Sequence, residues 1–155
     1  MKKLHIRWQR LVDEQGETCD RCGATEEAVE KAVRKLTVSL RPMDIEAVLE
    51  KETLSPSEFS RNPLESNRIW IEGISLEEWL SASSGQSRCC STCGDADCRT
   101  VTVDGETYEA IPAELIVKAG LMAGAGLVKP EPGEPCCGPS EPSEGACCCG
   151  TVDSD

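Results

Sequence analysis

One stretch constrains this chain more than any other: TCDRCGATEEAVEKAVRKL, from Thr18 to Leu36. It sets a Cys-x-x-Cys pair between a segment with the period of a strand and one with the period of a helix. Upstream, Leu4, Ile6 and Trp8 alternate with His5, Arg7 and Gln9, as in a half-buried strand. Downstream, Ala28, Val29, Ala32, Val33 and Leu36 fall on one helical face, with Glu26, Glu27, Glu30, Lys31 and Lys35 on the others. Thiols at such a junction feel the positive end of the helix dipole and unpaired backbone N–H groups, which favour thiolate over thiol. Cys19 and Cys22 therefore read as nucleophiles or metal ligands.

Composition narrows the function classes. A net charge of -12 argues against a nucleic-acid backbone or an anionic membrane surface as partner. The first twelve residues lack the uninterrupted apolar run of a signal peptide, and no later segment has the length of a membrane span. A cytoplasmic location is expected. In a reducing compartment, eleven cysteines point to metal binding or redox chemistry rather than to a framework of bridges, and their odd number agrees. The single His, His5, lies in the first strand pattern and reads as a plain strand residue. No organic cofactor is indicated.

Past the helix, Arg41-Pro42 breaks the pattern and Asp44 to Glu50 alternates again, which predicts a second strand parallel to the first through a right-handed crossover. Ser55-Pro56-Ser57-Glu58 has capping-box spacing, and Asn62-Pro63 ends the short helix it starts. Arg68 to Glu72 is short, apolar and strand-like. Ser75 to Glu78 repeats the capping spacing ahead of Trp79 and Leu80. Residues Ser81 to Ser87 read as a flexible connection, delivering a second cysteine group at 89–98. Asp104-Gly105 between two strand-like runs predicts a tight hairpin, and Pro112-Ala113-Glu114 opens a last helix whose glycines at 120, 124 and 126 mark loosening. The order is β-α-β, then β-β-α, an α/β domain over 1–128 with a parallel half and a hairpin half sharing one sheet. From residue 129 to 155 the chain is rich in Pro, Gly, Glu and Ser without apolar period, and a disordered acidic tail is expected.

Through TCDRCG, SNRIWIEG and the CGDADCR…VDGETYEAIP block, residues 3 to 125 resemble thioredoxin-like domains, and especially an uncharacterised bacterial and archaeal family of unknown function. The resemblance implies that Cys19 is the exposed attacking thiol and Cys22 the resolving one. Thioredoxins carry a cis-proline ahead of the third strand, facing the thiol pair. Here Ser66-Asn67 occupies that position, which puts ordinary disulfide reductase activity in doubt.

The second group, Cys89, Cys90, Cys93 and Cys98, includes a Cys-Ser-Thr-Cys-Gly turn that can aim two thiolates at one ion, with Cys98 as a third sulfur. A local site is expected in preference to one shared with Cys19 and Cys22. A loop-stapling disulfide remains open. The third group, Cys136, Cys137, Cys147, Cys148 and Cys149, consists of adjacent thiols that suit soft ions, and resembles the vicinal-cysteine tails of arsenic metallochaperones. Together these features predict a thiol-rich protein that binds a soft metal or metalloid ion, As(III) or Hg(II) in type, or zinc, and passes it by thiolate exchange to a metal-transport or redox partner. Two alternatives stand beside it: a thiol–disulfide oxidoreductase using Cys19 and Cys22, and a zinc-stabilised interaction module.

Overall fold

The computed structural model describes residues 1–89, 93 and 96–128. Strand β1 (Lys2–Leu11) buries Leu4, Ile6, Trp8 and Leu11, while His5 stays exposed. Helix α1 (Asp20–Leu40) buries Cys22, Thr25, Val29, Ala32, Leu36 and Leu40, a stripe at intervals of three and four residues. A turn of 3₁₀ helix at Arg41–Met43, with Asp44 in the left-handed region (φ 57°), returns the chain to β2 (Ile45–Leu54). Strand β2 runs parallel to β1 from Lys2↔Ile45 to Leu11↔Leu54, the pairing the sequence predicts and several residues longer.

Ser55 caps α2 (Pro56–Arg61) with a full reciprocal box to Glu58, which satisfies two N-terminal donors of a very short helix. After a 3₁₀ turn at Pro63–Glu65, β3 (Arg68–Ile71) pairs antiparallel with β1, and a tight turn at Glu72-Gly73 brings β4 (Ile74–Ser75) beside it. The main sheet has the order β2-β1-β3-β4. Ser75 caps α3 (Leu76–Leu80) by accepting from the Glu78 amide.

Expectations for the next two segments are corrected. Residues Ser81 to Ser87 are not a loose connection, because β5 (Ser83–Arg88) pairs antiparallel along its whole length with β6 (Asp97–Val103). The Asp104-Gly105 hairpin forms, with φ of 51° and 81° at its two turn residues, and joins β6 to β7 (Glu106–Tyr108). It does not share the main sheet, however. It belongs to a separate three-stranded sheet, β5-β6-β7, inserted between β4 and the last helix.

Arg99 on β6 fastens this second sheet to the rest. Its guanidinium meets Glu77 on α3 at 2.8 Å and donates to the Leu64 carbonyl at 2.6 Å, with both side chains of the ion pair nearly buried. Cys98, Val101 and Val103 then enter the common core.

Helix α4 (Ala113–Leu127) lies against α1. Gly120 and Gly124 mark close packing rather than loosening: a Cβ at Gly120 would stand 2.4 Å from Leu36 Cδ1, and one at Gly124 would stand 2.8 Å from Leu40 Cδ2, whereas Gly126 meets nothing within 4 Å. The absence of side chains there lets the two helices approach.

Candidate thiolate centre

The site begins where β1 hands over to α1. Thr18 donates its hydroxyl to the Leu11 carbonyl at 2.8 Å, closing the loop between strand and helix. Cys19 is the residue that caps α1, in extended conformation (φ -74°, ψ 165°), and its carbonyl accepts the Gly23 amide at 2.8 Å. The thiol pair thus sits at the helix N-terminus, as the sequence predicts. Cys19 is nevertheless nearly buried, 5% exposed, and so does not have the openness the resemblance implies for an attacking thiol.

Cys22, one turn on, is 1% exposed, and its sulfur lies 3.9 Å from Ser66 Oγ. Ser66 in turn accepts the Leu11 amide at 3.0 Å, and Asn67, in the left-handed region at φ 56°, accepts the Trp8 indole N–H at 3.2 Å. Ser66 therefore faces Cys22. A hydrogen bond with Cys19, burial and the charge Cys19 would carry all push the Cys22 thiol well above its ordinary range, while bonds to Thr18 and Ser66 pull weakly the other way.

A different partner reaches Cys19 from far along the chain. Strand β5 ends beside the helix N-terminus, so that Cys89 Sγ comes to 3.7 Å from Cys19 Sγ. Cys93 completes the group: the sulfurs of Cys19, Cys89 and Cys93 all lie within 4.8 Å of one another. These three residues could hold a metal ion. Among the described residues the cluster thus joins Cys19, at the start of α1, to two cysteines of the 89–98 group, where the sequence suggests a site local to 89–98. The physical reason is the pairing of β5 with β6, which carries the end of β5 back to the start of α1.

Cys98 stands apart from the three. It is fully buried on β6, and its thiol donates to Cys93 Sγ at 3.1 Å. Burial first, and then hydrogen bonds with Cys98 and Cys89, push the Cys93 thiol well above its ordinary range. Sulfurs crowded in this way retain protons until a cation neutralises them, so an arriving ion must displace protons. Among the described residues none of these cysteines is joined in a disulfide. Cys90 and the tail cysteines Cys136, Cys137, Cys147, Cys148 and Cys149 lie outside the described residues.

Arg21, inside the Cys-x-x-Cys pair, had no role in the sequence reading and holds the centre together. Its Nη2 donates to Ser87 Oγ at 3.0 Å and to the Arg88 carbonyl at 2.9 Å, and meets Glu109 Oε1 at 3.1 Å. One buried guanidinium thus ties α1 to the end of β5, next to Cys89. A faint signal was available, since a cation in the first turn of a helix opposes the dipole and needs compensation elsewhere. On the outer side of Cys19, a groove of about 500 Å³ runs along α1, flanked by Asp20, Glu26, Glu27 and Glu30.

Fold and site together define a mixed α/β protein with a cluster of cysteines able to hold a metal ion. The chain belongs to the family described as a domain of unknown function, DUF2703, whose profile matches residues 4–120 and so includes all three clustered cysteines. It is similar to an uncharacterized protein of Archaeoglobus fulgidus, 44% identical over 115 residues, spanning 74% of this chain and 82% of the relative. No solved structure matches the chain. Among the described residues no helix is long and apolar enough to cross a membrane.

Proposed function

We propose that this protein binds a soft metal or metalloid ion through the thiolates of Cys19, Cys89 and Cys93, and buffers it or hands it on by thiolate exchange. The observation that carries this reading is the convergence within 4.8 Å of three sulfurs, from Cys19 at the start of α1, Cys89 just after β5, and Cys93. The Cys19–Cys89 separation of 3.7 Å is close to the ~3.8 Å between sulfurs that share a tetrahedral ion at a metal–sulfur distance of about 2.3 Å. Sulfur-only sites select soft ions over magnesium or calcium. In the groove beside Cys19, Asp20 and Glu27 favour approach by a cation over an anion, while Glu26 and Glu30 are paired with Lys51.

Three thiolates suit pyramidal As(III), two suit linear Hg(II), and zinc would need a fourth ligand. In the proposed cycle the tail thiols capture the ion and the folded centre holds it, each step exchanging one thiolate for another on the ion before release to a transport or redox partner. The test is native mass spectrometry of the reduced full chain with As(III), Hg(II), Zn(II) and Cu(I) in competition. One ion retained by the wild type and lost from the Cys89→Ser chain is expected. Retention unchanged in Cys19→Ser, Cys89→Ser and Cys93→Ser would overturn the reading.

Thiol–disulfide exchange is the second reading, and a specific observation favours it. The sheet order β2-β1-β3-β4, the Cys-x-x-Cys pair opening α1 after β1, and Ser66 facing Cys22 ahead of β3 support a thioredoxin-like assignment with an inserted second sheet. Insulin-type disulfide turnover abolished by Cys19→Ser would promote it.

A further inference from the structure

Two sulfur distances in the cluster differ in kind. Cys19 and Cys89 stand 3.7 Å apart, a spacing two ligands of one ion can keep. Cys93 and Cys98 stand 3.1 Å apart. At a metal–sulfur distance of about 2.3 Å, sulfurs 3.1 Å apart would subtend roughly 85° at a shared ion, far below the tetrahedral angle. Cys98 also lies outside the group whose sulfurs are mutually within 4.8 Å. The pair is placed instead for covalent bond formation, since closing 3.1 Å to the ~2.05 Å of a disulfide needs a movement of about 1 Å.

Resting on the metal-binding reading above, we propose that Cys93 is shared between two states: a ligand of the ion when the chain is reduced, and the disulfide partner of Cys98 when it is oxidised. Forming the Cys93–Cys98 bond withdraws one of the three ligands and releases the ion. The oxidant is a low-molecular-weight disulfide, RSSR. Exposure orders the steps, because Cys93 is 7% exposed and Cys98 is fully enclosed. The Cys93 thiolate leaves the ion and attacks RSSR, forming a mixed disulfide Cys93–S–S–R and expelling RS⁻. Cys98 then loses its proton and attacks the Cys93 sulfur, expelling a second RS⁻. Two electrons pass from the Cys93 and Cys98 sulfurs to RSSR, one S–S bond is broken and one made, and one proton is released from Cys98. The ion left on Cys19 and Cys89 has lost a third of its ligands.

The 3.1 Å approach of Cys93 and Cys98 is also shorter than the 3.7 Å between Cys19 and Cys89. The β5–β6 ladder holds Cys98 opposite Ser87 and so fixes one partner of the pair.

The experiment uses the reduced full chain loaded with one equivalent of Zn(II) and titrated with oxidised and reduced glutathione at fixed ratios. Free zinc is read with a chromogenic chelator, and disulfides are mapped after combined trypsin and Asp-N digestion, which cuts between Cys93 and Cys98. Zinc release in step with a Cys93–Cys98 disulfide is expected. The Cys98→Ser chain should hold zinc as tightly when reduced, yet need at least a tenfold more oxidising glutathione ratio to lose half of it, since only a reversible mixed disulfide can form. A first disulfide between other cysteines, or the same release midpoint in Cys98→Ser, would overturn the proposal. Should the reduced chain take up neither zinc nor As(III), the metal-binding reading fails by itself, and mapping on the ion-free chain still decides whether Cys93 and Cys98 form the first bridge.

Discussion

Cys19 Sγ and Cys89 Sγ stand 3.7 Å apart although 70 positions separate them in the chain. Two structural decisions bring them together. The strand-to-helix junction presents Cys19 at the start of α1, and the β5–β6 ladder ends beside it. Arg21 joins the two by donating to Ser87 and to the Arg88 carbonyl. The centre is thus a seam between the main α/β unit and the inserted three-stranded sheet, and its integrity depends on contacts across that seam.

Arg21→Met should therefore weaken the centre without touching a sulfur. It removes hydrogen bonds from a nearly buried guanidinium, a loss of about 1.5–3 kcal/mol for bonds to charged groups. Loss of support around a ligand typically costs about 10–100-fold in affinity, and Zn(II) affinity should fall by that order. Chemical denaturation and a competition titration with a chromogenic chelator check both effects. Unchanged affinity would mean that Cys89 is positioned by something other than this guanidinium.

The buried pair of Arg99 and Glu77 carries the second sheet, and truncating one partner strands the other charge. Arg99→Met should destabilise the chain by about 3–5 kcal/mol, whereas Arg99→Met combined with Glu77→Leu should recover much of that loss. Denaturant midpoints of the two variants provide the comparison. Equal losses would show that the Leu64 carbonyl contact, rather than the charge pair, dominates.

Gly120→Ala should be destabilising although alanine is the better helix former. The added methyl would stand 2.4 Å from Leu36 Cδ1 and 2.8 Å from Cδ2, and Leu36 is fully buried with little room to turn. Overpacking of this kind costs about 1–3 kcal/mol, more than the ~1 kcal/mol gained from helix propensity. A second change, Leu36→Val, should restore part of the stability. Thermal unfolding of the single and double variants tests the pairing.

The pH dependence of the ion-free, reduced protein follows from the direction of the Cys22 and Cys93 shifts. An unfolded thiol loses its proton near the ordinary value of 9.0, while in the folded chain both thiols keep theirs to higher pH. Above that value the unfolded state binds fewer protons than the folded one, so stability falls as pH rises; below it these groups contribute no slope. The melting temperature should be level near neutral pH and decline above about pH 9, and Cys22→Ser should flatten the decline. An equally steep decline in Cys22→Ser would assign the effect to other groups.

Much of this could be read from the residues in order. Alternation in Leu4, Ile6 and Trp8, the stripe of α1 and the Asp104-Gly105 turn each act over a few neighbours, and each forms where expected. Strand β5 could not be read the same way. Its sequence SSGQSR has no apolar period, and it is ordered by main-chain pairing with β6 and by Arg21, partners that local pattern does not reveal. The route by which Cys89 reaches Cys19 runs through β5, so proximity in sequence does not reveal that the two belong together. The packing of Gly120 and Gly124 escapes local pattern for a related reason, since it is set by Leu36 and Leu40 on another helix. The tail thiols, to which the sequence gives the capture step, lie outside the described residues.

Site-by-site alkylation tests the central claim most directly. The reduced full chain, with and without one equivalent of Zn(II), is treated with iodoacetamide for increasing times, and the rate at each cysteine is read by peptide mass spectrometry. A three-sulfur centre at Cys19, Cys89 and Cys93 predicts that the ion slows all three by more than roughly tenfold, most visibly at the half-exposed Cys89, and leaves the tail cysteines reacting as before. Slowing confined to Cys136, Cys137, Cys147, Cys148 and Cys149, with Cys89 unchanged, would contradict it.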